Sequence, residues 1–123
     1  MISVMFSVRR KKELSVSEFH EYWRNVHGPL VSAHAAVLGI RRYVQHHGVP
    51  GRITDALGRA RGTDVPFDGV AQVYFDDLEA MLAAGRSPAG RAAMEELVAD
   101  EARFIDFATS SILLADEVVL AER

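Results

Sequence analysis

Two histidines, His20 and His27, stand seven residues apart in the stretch Glu18–Leu30, EFHEYWRNVHGPL, among the aromatics Phe19, Tyr22 and Trp23. On a helical wheel at about 100° per residue with Phe19 at zero, Val16, Trp23, Val26 and Leu30 fall within about 60°, and His20 and His27 at about 80–100°. Both imidazoles therefore flank an apolar stripe. An imidazole that is partly desolvated at the rim of a buried face can hold or move a proton near neutral pH. His27, beside Gly28-Pro29, is the prime candidate for acid–base catalysis; its competing role is to satisfy free carbonyls at a helix end. His20 is more simply structural, and Trp23 more simply core. His20, His27 and His34 recur every seven residues, about 10 Å apart along a helix axis, too far to share one ion. No metal site is expected.

A second polar group lies further along. Tyr43, Gln45 and His47 share one face of a strand pattern, with His46 on the other, and Gln72 and Tyr74 sit on a later strand pattern. Together Tyr43, Gln45, His47, Gln72 and Tyr74 are expected to line a substrate site with Trp23. His46 and Asp64 are weaker candidates, Asp64 being in a segment where aspartate commonly serves a turn. The sequence contains no Gly-x-Ser-x-Gly elbow, no Walker loop and no GxGxxG, so nucleophilic serine, nucleotide and dinucleotide chemistry have no support. Proton transfer remains.

The elements that must position these groups follow from periodicity. Ile2, Val4, Phe6 and Val8 alternate with polar and mixed neighbours as a first strand. Ser15 precedes Glu18 by three residues, a capping-box spacing that starts a helix, and Gly28-Pro29 is expected to end it. Leu30–Leu38 reads as a short second helix closed by Gly39, and Ile40–His47 as a second strand. Gly48–Pro66 reads as a long loop with a helical turn around Asp55–Arg61. Asp68–Phe75 is a third strand. Asp77–Ala84 is helical, and Ser87-Pro88 caps a further helix whose acidic residues Glu95, Glu96, Asp100 and Glu101 read as its wet face. Ser110–Leu120 closes the chain as a fourth strand. The order is β-α-β-β-α-β, the ferredoxin-like α+β arrangement: a four-stranded antiparallel sheet with helices on one face. Apolar residues fall on both parities of the strands, as at Val4 and Met5, Tyr74 and Phe75, and Leu113 and Leu114. The helix-distant face is therefore expected to pair with a second copy, enclosing a barrel and its cavity in a homodimer.

The 123 residues, 49% hydrophobic and 25% charged, are expected to form one domain spanning residues 1–123. The absence of cysteine excludes disulfides, thiolate nucleophiles and cysteine-ligated metals and fits a cytoplasmic setting. No apolar run approaches a membrane span, no signal segment is evident, and no membrane partner is expected. A net charge of −3 argues against nucleic acid as a partner. The basic run Arg9-Arg10-Lys11-Lys12 is most simply a solvated turn.

With F-x-x-Y-W-x-x-x-H-G-P-L at Phe19–Leu30, DGVAQVYFDDLEA at Asp68–Ala80 and ADEARFID at Ala99–Asp106, the chain resembles the EthD-domain family of the dimeric α/β-barrel superfamily. The resemblance implies a homodimer handling a small hydrophobic or aromatic compound without an obligatory cofactor. It also matches the family histidine to His27. Many relatives carry Glu followed by Leu-Trp where this chain has Gln72, Val73 and Tyr74, so that strand offers no carboxylate. The functional expectation is an isomerase, dehydratase or decarboxylase with His27 as acid or base. The alternatives are a cofactor-independent oxygenase acting on an aromatic or polyketide substrate and a non-catalytic carrier of a hydrophobic metabolite.

Overall fold

The computed structural model describes residues Met1–Arg123. Its elements are β1 (Ile2–Val8), α1 (Val16–Tyr22), a π-helical turn (Trp23–His27), α2 (Gly28–His34), β2 (Arg42–His47), α3 (Arg52–Arg61), β3 (Gly69–Phe75), α4 (Leu78–Arg86), α5 (Pro88–Glu101), a 3-10 turn (Phe107–Thr109) and β4 (Ser111–Asp116). The strands form one antiparallel sheet in the order β2-β3-β1-β4, the ferredoxin-like α+β topology expected. The fourth strand stops at Asp116 instead of Leu120, and Val118 to Leu120 are exposed.

α1 starts where the capping box puts it: Ser15 Oγ accepts from the Glu18 amide at 3.0 Å, and Glu18 Oε1 accepts from the Ser15 amide at 2.8 Å. Such a cap contributes about 1 kcal/mol. The expected stop at Gly28-Pro29 is corrected, because the helical path runs through it. Pro29 has no amide to give Asn25, and the backbone absorbs this as a π turn in which the Gly28 amide donates to the Trp23 carbonyl. A π turn inserts one residue into the 3.6-residue repeat, which rotates everything after it. Val26 and Leu30, placed on the stripe by a regular wheel, give up their positions to His27 and Val31. Val26 is 48% exposed and His27 only 3%.

The long loop holds more helix than expected, since α3 covers ten residues and ends at Gly62 in the left-handed region (φ 66°). The segment after α3 is tied down by Arg9, whose guanidinium donates to the Val65 and Pro66 carbonyls at 3.0 Å and lies over Phe67. Arg10 pairs with Asp68 at 3.0 Å. The basic run is thus only partly a solvated turn.

Buried side chains form two groups. Val8, Phe19, Trp23, Phe104 and Ile105 make one, and Val31, Leu38, Ala93 and Leu97 the other. Gly69 lets the first group close: a Cβ there would stand 2.5 Å from the Trp23 ring and 2.6 Å from the His46 carbonyl.

Candidate active site

Between the helices and the sheet lies a cavity of about 380 Å³ with walls from both buried groups. Val4, Phe6, Ala71, Val73, Phe75 and Ile112 supply the sheet side, and Trp23, Val31, Leu97 and Val98 are among the residues opposite. The cavity lies on the helix side of the sheet within one protomer, which corrects the expectation of a cavity on the helix-distant face. Strand pleating decides this: Tyr43 pairs with Val73 and Val73 with Val4, so this row faces the helices while Gln72 and Tyr74 point the other way. The only ionisable groups lining the cavity are His27, Tyr43 and Glu101.

His27 and Glu101 share one wall. His27 Nδ1 is 2.8 Å from Asp100 Oδ2, and its Nε2 is 3.7 Å from Glu101 Oε2. Ionised Asp100 can only accept, so Nδ1 carries the proton and the Nε2 lone pair is turned towards Glu101. Asp100 also accepts from the Tyr22 hydroxyl at 2.6 Å and lies 3.9 Å from Arg103. Phe104 packs against the imidazole, with ring centroids 5.1 Å apart. Burial holds the His27 pKa below its ordinary 6.5, opposed by the hydrogen bond and charge of Asp100. Burial, with the Asp100 charge as a second cause, raises Glu101 from 4.5 to about 7. The result is a carboxyl group close to half-protonated at neutrality beside a neutral imidazole.

Asp100 and Glu101 were expected on the wet face of α5. They are instead 7% exposed and cavity-lining, respectively. A signal was available. Two adjacent carboxylates in the last turn of a helix oppose its macrodipole, which favours cations there, and such an unfavourable arrangement marks residues retained for another reason.

The other candidates divide. Trp23 and Tyr43 line the cavity. Gln45 and His47 stand behind Tyr43: Gln45 Nε2 donates to the Tyr43 hydroxyl at 2.7 Å and to the Trp23 carbonyl at 2.9 Å, and its Oε1 is 2.8 Å from His47 Nε2. Gly28 allows this approach, since a Cβ there would lie 3.1 Å from Gln45 Nε2. His20 packs on His47 with centroids 4.6 Å apart, and neither of its ring nitrogens has a partner. Burial lowers the pKa of both histidines. Gln72 and Tyr74, expected in the lining, are corrected to the opposite face, where Gln72 bonds His46 at 3.0 Å and the Tyr74 hydroxyl donates to Glu117 at 3.2 Å. Asp64 accepts from the adjacent Val65 amide in the exposed segment after α3 and does not line this cavity. No group of three or more His, Cys, Asp or Glu side chains could hold a metal ion. No helix is long and apolar enough to cross a membrane.

A four-stranded sheet roofed by helices, with an acid and an imidazole on the wall of a greasy interior, defines the class: a ferredoxin-like α+β protein. The EthD domain matches residues 11–108, and the chain belongs to that family. Its fold is similar to that of an EthD family protein from Bacillus halodurans, at TM-score 0.61 and 19% identity over 96% of this chain and 100% of that one. An EthD-like protein from Ralstonia eutropha aligns at TM-score 0.62 and 19% identity over 98% and 95%. A dimeric protein of unknown function and ferredoxin-like fold from Bacteroides fragilis aligns at TM-score 0.59 and 12% identity over 94% and 95%. No curated protein matches the chain.

Proposed function

We propose that this protein is a cofactor-independent enzyme that moves a proton on a small, uncharged, largely apolar metabolite, with Glu101 and His27 as the acid–base pair. The observation that carries the reading is their adjacency, 3.7 Å apart, on the wall of an otherwise apolar cavity. A catalytic pKa near the working pH maximises both the useful protonation state and the driving force for transfer, and positioned acid–base catalysis contributes about 10²- to 10⁴-fold in rate. In the reaction, Glu101 carboxylate takes a proton from a carbon next to a carbonyl and the C–H electron pair moves onto the oxygen. Return of the proton at another atom completes an isomerisation. Expulsion of a hydroxyl from the neighbouring carbon, as the enolate re-forms its carbonyl and the proton held by Glu101 passes to the departing oxygen to give water, completes a dehydration. His27, held in its Nδ1–H form by Asp100, accepts or returns the proton through Nε2.

Deuterium incorporation into 2-tetralone in D₂O, followed by proton NMR, tests the reading. Catalysed exchange by the native protein that falls at least about 10²-fold in Glu101→Gln, with a fall in His27→Ala as well, is the expected outcome. Exchange unchanged in both variants would refute it.

The active form is read as a homodimer. The face away from the helices carries Met5, Val44, Val70 and Leu113, and the edge strand β4 leaves Ile112, Leu113 and Leu114 more than half exposed. A second copy covers this surface, in keeping with a fold neighbour described as dimeric.

A further inference from the structure

The hydrogen bonds behind the cavity have a direction, and that direction begins at a backbone carbonyl. The Trp23 carbonyl can only accept, so the Gln45 amide must turn its Nε2 towards it at 2.9 Å. The second Nε2 hydrogen then goes to the Tyr43 hydroxyl at 2.7 Å. Gln45 Oε1 faces His47 Nε2 at 2.8 Å, so His47 carries its proton on Nε2 and leaves Nδ1, the nitrogen without a partner, as a bare lone pair. Every link points the same way, from His47 to Gln45 to Tyr43. Tyr43 spends an oxygen lone pair on Gln45 and donates its own proton to no protein acceptor, while its residue lines the cavity.

We propose that Tyr43 is a catalytic hydrogen-bond donor to a carbonyl oxygen of the substrate, oriented by Gln45 as positioning residue, and that the substrate class is an uncharged ketone or lactone that passes through an enolate. This deepens the acid–base reading and rests on it for the proton's destination. As Glu101 removes the proton from carbon, the electron pair moves to oxygen, and the Tyr43 O–H strengthens its bond to the forming enolate. The proton taken at carbon rests on Glu101 or passes to His27 Nε2 and exchanges there with solvent before a proton is returned to carbon. No lysine or arginine lines the cavity, so an anionic carboxylate or phosphate substrate would be desolvated without a counter-charge. An enolate formed only transiently needs a directed donor and not a permanent cation.

The test uses 2-tetralone labelled with ¹³C at its carbonyl, bound to the full-length native protein and to Tyr43→Phe, Gln45→Glu and Glu101→Gln. Infrared difference spectra read the carbonyl stretch, and deuterium exchange is measured on the same samples. The native protein is expected to lower the stretch. Tyr43→Phe, which keeps the ring and its packing, should restore it and slow exchange about 10²-fold. Gln45→Glu offers Tyr43 an acceptor and turns its proton away from the cavity; it should restore the stretch with the tyrosine in place, which keeps the test open should Tyr43→Phe misfold. Glu101→Gln should keep the lowered stretch and lose exchange. A stretch unchanged in Tyr43→Phe or Gln45→Glu overturns the donor assignment. Failure of the native protein to bind the ketone up to its solubility limit overturns the substrate class. Exchange that survives Glu101→Gln and His27→Ala while the stretch still depends on Tyr43 would refute the acid–base reading and leave the donor assignment standing.

Discussion

Replacing Glu101 with glutamine should change how stability depends on pH, and the size of the change can be worked from the structure. In the folded chain the carboxyl binds its proton up to about pH 7, against 4.5 ordinarily. Between these values the folded state holds more proton than the unfolded state, so stability falls as pH rises through that window and levels off above it. At about 1.4 kcal/mol per pH unit, the whole rise from 4.5 to about 7 amounts to at most about 3.5 kcal/mol. His20, His27 and His47 act oppositely, because burial lowers their pKa values and stability is lost as they become protonated on acidification. The difference between variant and native protein cancels the share of His20 and His47, and that of His27, 3.7 Å from Glu101, falls on the acid side of the window. Urea denaturation of both from below pH 4.5 to above pH 7 is the assay. Stability of Glu101→Gln minus that of the native protein should climb by up to about 3.5 kcal/mol across the window and then stay flat. The glutamine amide adds a constant offset, so the slope carries the result. A difference independent of pH would mean that the carboxyl ionises as it does in water, and the acid–base site would lose its foundation.

Asp100→Asn removes the charge that supports His27 and presses on Glu101, so carboxyl and imidazole NMR titrations should show both pKa values moving down, Glu101 towards 4.5; movement in opposite directions would contradict the assigned geometry. Gly69→Ala places a methyl group against the Trp23 ring and should cost about 1–3 kcal/mol. Trp23 is the only tryptophan, so its fluorescence reports that displacement directly, and a variant with native stability and emission would disprove the contact. Leu113→Asp puts a charge in the middle of the helix-distant face opposite Met5 and should yield monomers in sedimentation velocity, with the cavity of each protomer intact by ligand binding.

The strand parity at Ile2–Val8, the Ser15–Glu18 cap and the Ser87-Pro88 start are local properties of the chain, and the topology, family resemblance and aromatic–histidine stretch were legible from them. Period-two and capping signals survive because a strand or a helix start is set by neighbours within four residues. The identity of the cavity wall was not local. A regular wheel puts Val26 inward and His27 at the edge, whereas the π turn forced by Pro29 shifts the phase by one residue and buries the imidazole. The wet-face reading of Asp100 and Glu101 failed for a related reason. The α5 sequence does not say which surface will face outward, and only packing against the π turn and Tyr22 converts two ordinary acids into a buried support and a carboxyl of raised pKa. The residue types, and so the available proton chemistry, were determined by sequence alone; tertiary structure decided which side of the sheet would be dry, because desolvation depends on which elements meet.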